Sequence, residues 1–197
     1  MMLFPRLPFI VLALALLSGC DDSREPEVAA VPHPRNIPKA EELYRQAVAV
    51  IDSDAHQAEA LLREAVSWDA YLGKAYNDLG VLLLKQDRLF YAVQAFEAAR
   101  RNMPGQSEPR VNLALALDRS GKVAEALEAA RSALEVQPAS LPAVELISLI
   151  QLREGLTDET TAAHLQAILS RSPDQAWRDW ARAKLQWLPG RTSIIQQ

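Results

Sequence analysis

Two stretches of this chain place their apolar and polar residues in the same order. "YNDLGVLLLKQDRLFYAVQAFEAARRNMP" spans 76–104 and "RVNLALALDRSGKVAEALEAARSALEVQP" spans 110–138. Set in register, Leu79 meets Leu113, Gly80 meets Ala114 and Leu83 meets Leu117. Further along, Ala92 meets Ala126, Phe96 meets Ala130, Ala99 meets Ala133 and Pro104 meets Pro138, each pair 34 residues apart. From Lys39 onward the chain is rich in Ala, Leu, Glu, Arg and Gln, all strong helix formers. No sustained alternation of apolar and polar residues marks a strand. The pattern therefore predicts helices throughout, and a fixed period of this length predicts a stacked array.

The order aromatic-x2-Leu-Gly, then Ala-x3-Phe-x2-Ala, then Pro resembles the tetratricopeptide repeat (TPR). That resemblance implies an all-α helical solenoid of antiparallel helix pairs. The residue types suit it. Gly80 or Ala114 lets two helices approach closely, and Ala92 and Ala126 supply the matching small contact. Leu79, Leu83 and Phe96 are expected to fill the space between neighbouring pairs. Pro104 and Pro138 end each second helix, because proline cannot continue one and restricts the residue before it.

The repeats at 73–106 and 107–140 are the clearest of about four within 39–188. Upstream, Ala58, Leu62 and Ala65 keep the spacing of Ala92, Phe96 and Ala99. The first helix, about Lys39 to Ile51, is one residue short if Ala47 takes the small position. Downstream, Gly155 follows Gly121 and Ile147 follows Leu113 at the same 34. One inserted residue then aligns Leu165 and Pro173 with Phe96 and Pro104. Outer repeats of a solenoid face solvent and are expected to degenerate. A capping helix is expected over 172–188, with Ser172 as N-cap, Pro173 at its first position and Gln175 at its third. Trp177, Ala181, Leu185 and Leu188 share one face of it, flanked by Trp180 and Trp187. The tail, 189–197, is expected to fray.

The amino-terminal pattern is different. Leu7 to Leu17 is apolar apart from Pro8, and its eleven residues fall far short of the roughly 20 that span a bilayer. Preceded by Arg6 and followed by Ser18 and Gly19, it reads as a secretory signal, 1–19. "LSGC" resembles the lipobox of bacterial lipoproteins, which implies cleavage before Cys20 and a lipid on that cysteine. Residues 20–38, with four prolines after the cysteine, read as a lipidated start and an extended tether. The expected location is the bacterial cell envelope, facing the periplasm. By resemblance to enterobacterial sorting, Asp21 favours the inner membrane.

The formal charge of −4 is spread over interspersed signs and argues against nucleic acid as a partner. Cys20 is the single cysteine, so no disulfide forms within the chain. His33, His56 and His164 have no metal-ligand spacing, and His33 and His164 are expected to face solvent. No nucleophile elbow, P-loop or dinucleotide fingerprint is present. No enzyme, metal or cofactor is therefore expected.

In proteins of the resembled family, the first helix of each pair lines a concave face and touches ligands at its positions 2, 5, 9 and 12. Carried onto this chain, the candidate partner-binding residues are Tyr44, Val48 and Ile51; Lys74, Asn77, Val81 and Leu84; Val111, Asn112 and Leu115; and Leu149 and Leu152. Most are apolar, so the expected occupant is an apolar or amphipathic segment of a protein partner. The family's carboxylate clamp does not carry over: Lys74, Asn77 and Asn112 are present, but the next helix offers Pro142, Glu145 and Leu146. The expected work is that of a membrane-anchored scaffold or assembly factor. In layout the chain resembles small TPR lipoproteins of pilus assembly systems, and an accessory subunit of a pilus or cell-wall machine is the alternative. An enzyme with a non-sequential site would need a polar pocket where titratable groups converge.

Overall fold

The computed structural model describes residues 34–188. The expected signal segment, Cys20, most of the tether and the tail lie outside the described residues. Within the described residues stand nine helices and no strand: α1 (Ile37–Val50), α2 (Ala55–Trp68), α3 (Gly73–Lys85), α4 (Leu89–Asn102), α5 (Glu108–Arg119), α6 (Val123–Val136), α7 (Leu141–Glu154), α8 (Thr161–Arg171) and α9 (Gln175–Trp187). Each helix packs on its neighbours in sequence, and α5 also touches α3 and α7. The architecture is all-α, as the pattern predicts. None of these helices is long and apolar enough to cross a membrane.

The turns inside the pairs are copies of one another. Arg88, Lys122 and Leu156 donate their backbone N–H to the carbonyls of Leu83, Leu117 and Gln151 at 2.9, 2.9 and 2.8 Å. These are the six-to-one closures of a Schellman helix end, which need one left-handed residue. Asp87 (φ 62°), Gly121 (φ 75°) and Gly155 (φ 68°) supply it. At the far ends, α4 and α6 stop just before Met103 and Gln137, whose ψ values of 63° and 88° leave the helical region ahead of Pro104 and Pro138.

Packing within the pairs adds a contact that the sequence reading did not give. Phe96 is fully buried, and its ring lies against Gly80 of its own pair. A Cβ on Gly80 would lie 2.5 Å from Phe96 Cε1, so the ring occupies the space that glycine vacates. In the next pair the equivalent positions are Ala114 and Ala130, both fully buried. One apolar core runs from α1 to α7, and a smaller one joins Val144, Leu165, Ile168 and Ala181 beneath α9.

Three boundaries differ from the sequence reading. Helix α1 begins at Ile37 rather than Lys39, because Asn36 accepts the Lys39 N–H at 3.1 Å as its N-cap. Arg35, assigned to the tether, is fastened to the approach to the second helix pair. Its guanidinium donates to both Asp69 carboxylate oxygens, at 2.9 and 3.3 Å. Burial pushes the Asp69 carboxyl up, but these bonds and the Tyr71 N–H outweigh it and hold it below its ordinary value. Helix α9 starts at Gln175 with Asp174 as its cap, the carboxylate accepting the Ala176 N–H at 2.8 Å. Ser172 instead ends α8, held extended ahead of Pro173, and its hydroxyl donates to Glu145 at 3.2 Å. His164 also departs from expectation. It is half-buried on α8, with Nδ1 enclosed and unpaired.

Candidate binding surface

The first helices of the four pairs, α1, α3, α5 and α7, bring equivalent positions side by side. Along their middle runs an apolar row: Val48 on α1, Val81 on α3, Leu115 on α5 and Leu149 on α7. Val48 is 45% exposed, Leu115 37% and Leu149 39%, while Val81 is half-buried. Helical periodicity explains the exposure. Leu79, Leu82 and Leu83 on α3, and Leu113, Ala114, Ala116 and Leu117 on α5, take the core-facing positions, which leaves position 9 of each helix outside.

Polar ladders flank this row on both sides and tie each first helix to the next. Nearer the helix N-termini, Lys74 pairs with Glu41 at 2.6 Å and lies over the Tyr44 ring, 4.5 Å from its centre. The Tyr44 hydroxyl donates to Asp78 at 3.0 Å. The Asn77 amide donates to Glu108 at 3.1 Å, and the Asn112 amide to Asn77 Oδ1 at 2.9 Å. Nearer the C-termini, Arg119 donates to the Leu84 carbonyl at 2.9 Å and to Asp87 at 2.6 Å. Arg153 grips Asp118 with two bonds, at 2.9 and 2.6 Å.

These contacts sort the candidate residues. Val48, Val81, Leu115 and Leu149 form the row. Leu84 and Asn77 are corrections: at 8% and 5% exposed, they offer a partner almost no surface. Leu84 faces the core, and Asn77 is consumed by its bonds to α5. Tyr44, Ile51, Lys74, Val111, Asn112 and Leu152 are half-buried. Ile51 and Leu152 pack against the two cores. Val111 and Asn112 line a cleft of about 330 Å³, together with Ser107 and Glu108 on one side and Gln137, Ser140, Leu141 and Pro142 on the other.

The sequence candidates omit Asp78, Arg119 and Arg153, and also Asp118, although Asp118 stands in the position-12 column. A signal existed, since Arg119 and Arg153 stand 34 apart, one position beyond the column of Asp118 and Leu152.

The electrostatics differ between the two sides. Toward the helix N-termini, burial pushes the Asp78 carboxyl up, and Glu108 adds to this against the bonds from Tyr44 and Asn77. Burial likewise raises Glu145, with Asp174 adding and the Ser172 hydroxyl opposing. The Tyr44 hydroxyl is pushed up to about 12, first by burial and then by Asp78, Glu41 and Glu108. Toward the C-termini, the bonds to Asp118 and Glu154 hold the Arg153 guanidinium firmly charged. Among the described residues, no three His, Cys, Asp or Glu side chains converge as metal ligands.

No family model and no curated protein matches the chain. Solved structures do. MamA superposes with a TM-score of 0.62 at 23% identity, over 75% of this chain and 82% of that one. YrrB, described as a TPR protein with an unusual peptide-binding site, superposes with 0.60 at 19% identity, over 75% and 78%. The first TPR of Spaghetti (RPAP3), bound to the HSP90 peptide SRMEEVD, superposes with 0.58 at 14% identity, over 61% and 97%. The fold is that of the TPR solenoids.

Proposed function

We propose that this chain is a non-catalytic scaffold that holds a peptide segment of a protein partner on the face of α1, α3, α5 and α7. A lipid on Cys20 fixes it to a bacterial membrane on the periplasmic side. The row of Val48, Val81, Leu115 and Leu149 carries the reading. Apolar side chains that the fold leaves partly exposed cost free energy in water, and burial against an apolar partner recovers it. The ladders beside it hold the first helices in fixed register, so the strip is preorganised and little ordering cost attends binding. The peptide-binding neighbours YrrB and Spaghetti support the same use of the fold.

The membrane part rests on "LSGC" at 17–20 and on the Pro-rich stretch after it. Several acyl chains, at about 0.8 kcal/mol per buried methylene, give durable anchoring. Assembly of a pilus or another envelope machine is the narrower form of the reading, supported by the layout of signal, tether and repeats.

The test uses Leu115→Asp with Leu149→Asp. Both side chains are exposed, so the double variant should melt within a few degrees of wild type. Leu84 is left intact, because an aspartate at that buried site would unfold the pair. In pulldowns from detergent-solubilised membranes of the native host, wild type should recover a defined partner and the double variant should lose it. Undiminished recovery by the folded double variant refutes the surface. For the anchor, Cys20→Ala should abolish incorporation of labelled palmitate. Continued labelling refutes it.

A further inference from the structure

The charges along this face divide into those the fold neutralises and those it does not. Glu41 is paired with Lys74, Asp118 with Arg153 and Asp87 with Arg119. Away from this face, Glu59 on α2 is met by Arg63 and Arg88, and Asp69 just after α2 by Arg35. Three carboxylates are treated differently. Among the described residues, Asp78 accepts bonds only from the Tyr44 hydroxyl and the Asn77 amide. Glu108 accepts only from the Asn77 amide, and Glu145 only from the Ser172 hydroxyl. None of the described cations bonds to any of the three. Lys74 acts on Asp78 through space, but its ammonium is committed to Glu41.

All three stand on the N-terminal side of the apolar row, on α3, α5 and α7 in turn, and Glu108 lines the cleft. Asp78 and Glu145 are half-buried. A partly desolvated carboxylate without a counter-charge costs free energy, which an arriving cation recovers. Burial raises the Asp78 and Glu145 carboxyls and the Tyr44 hydroxyl, and neighbouring carboxylates add to each.

We infer that the occupant of this face is a cationic peptide segment, with Lys or Arg side chains reaching Asp78, Glu108 and Glu145 while its apolar side chains lie on Val81, Leu115 and Leu149. This rests on the scaffold reading and deepens it. Packed helices lie about 8–10 Å apart, and an extended chain of polyproline II form, with about three residues per turn, advances about 3.1 Å per residue. A segment crossing from α3 to α7 therefore meets a new first helix about every third residue. Lys or Arg at that spacing, with apolar residues between, fits both rows. An acidic segment such as the SRMEEVD bound to Spaghetti is repelled here. The groups that could grip a terminal carboxylate are already spent, Lys74 on Glu41, and Asn77 and Asn112 on one another.

The test selects random dodecapeptides displayed on phage against the full chain in detergent. It is run in parallel on three proteins: wild type, an Asp78→Asn/Glu108→Gln/Glu145→Gln variant, and the Leu115→Asp/Leu149→Asp variant. Each amide keeps the side chain's shape and one oxygen acceptor while removing the charge. Wild type should enrich Lys and Arg at about three-residue spacing and deplete Asp and Glu. In fluorescence anisotropy the best peptide should bind the amide variant at least tenfold more weakly, and wild type itself more weakly at high salt. Selections without Lys or Arg excess over those on the amide variant, including selections that return nothing, overturn the cationic inference. If such peptides still need Leu115 and Leu149, the scaffold reading stands. Peptides bound equally by all three proteins overturn both.

Discussion

Gly80 and Phe96 offer a quantitative check on how this solenoid is packed. The Phe96 ring is fully buried, and replacing a buried phenylalanine by alanine costs about 3–5 kcal/mol in lost transfer and residual cavity. Gly80→Ala acts in the opposite sense. Its Cβ would lie 2.5, 2.6 and 2.9 Å from ring atoms Cε1, Cδ1 and Cζ, so the ring must shift. Overpacking of this kind costs about 1–3 kcal/mol, and the gain of about 1 kcal/mol in helix propensity returns part of it. Independent effects would sum to about 3–7 kcal/mol. The double variant should fall short of that sum. With the ring gone, the new methyl group at position 80 clashes with nothing, keeps its propensity gain and fills a little of the space. The neighbouring pair already uses this solution at Ala114 and Ala130. The expected loss in the double variant is about 2–4 kcal/mol, hence a favourable coupling of about 1–3 kcal/mol. Urea unfolding of the four proteins measures it. A coupling below about 0.5 kcal/mol would refute direct contact as the reason for glycine at this position.

Two further outcomes follow from single residues. Burial lowers the His164 imidazole below its ordinary value, with Asp158 opposing and Arg131 assisting. The folded state thus binds the proton more weakly than the unfolded one. The stability present above about pH 6.5 is lost as pH falls through the lowered folded value. His164→Gln should flatten the fall in melting temperature between pH 7.5 and 5; equal falls in both proteins contradict the assignment. Gly121→Ala places a Cβ in open space at φ 75°, so its cost is backbone strain alone, about 1–2 kcal/mol. That corresponds to a melting point lower by a few degrees, and an unchanged melt would show that the turn is not held left-handed.

The fold was legible because its closest contacts are made by residue types that tolerate few alternatives. Ala92, Ala126, Gly121 and the prolines at 104 and 138 punctuate the chain at one interval, and the helices begin and end where they direct. The direction of Phe96 was harder to read, although the aligned repeats carried a clue. Gly80 with Phe96 stands against Ala114 with Ala130, an exchange of volume that makes sense only if the two positions touch. The start of α9 misled for a chemical reason. Ser172, Pro173 and Gln175 imitate a helix start, but Asp174 makes the cap while the Ser172 hydroxyl serves Glu145.

The candidate surface was legible by column and not by exposure. Position 9 carries Val48, Val81, Leu115 and Leu149, and three of these are exposed. Position 12 mixes Leu84 with Asp118, and position 5 mixes Asn77 with Val111. Their burial is decided by the neighbouring repeat, which a single repeat's sequence does not contain. The ladders have the same origin, because each bond joins one first helix to the next. Their consequence is functional. Lys74, Asn77, Asn112, Arg119 and Arg153 are engaged in holding the helices in register. What remains for a partner is what the fold does not use itself: an apolar row, and beside it three carboxylates that the protein's own described cations leave unpaired.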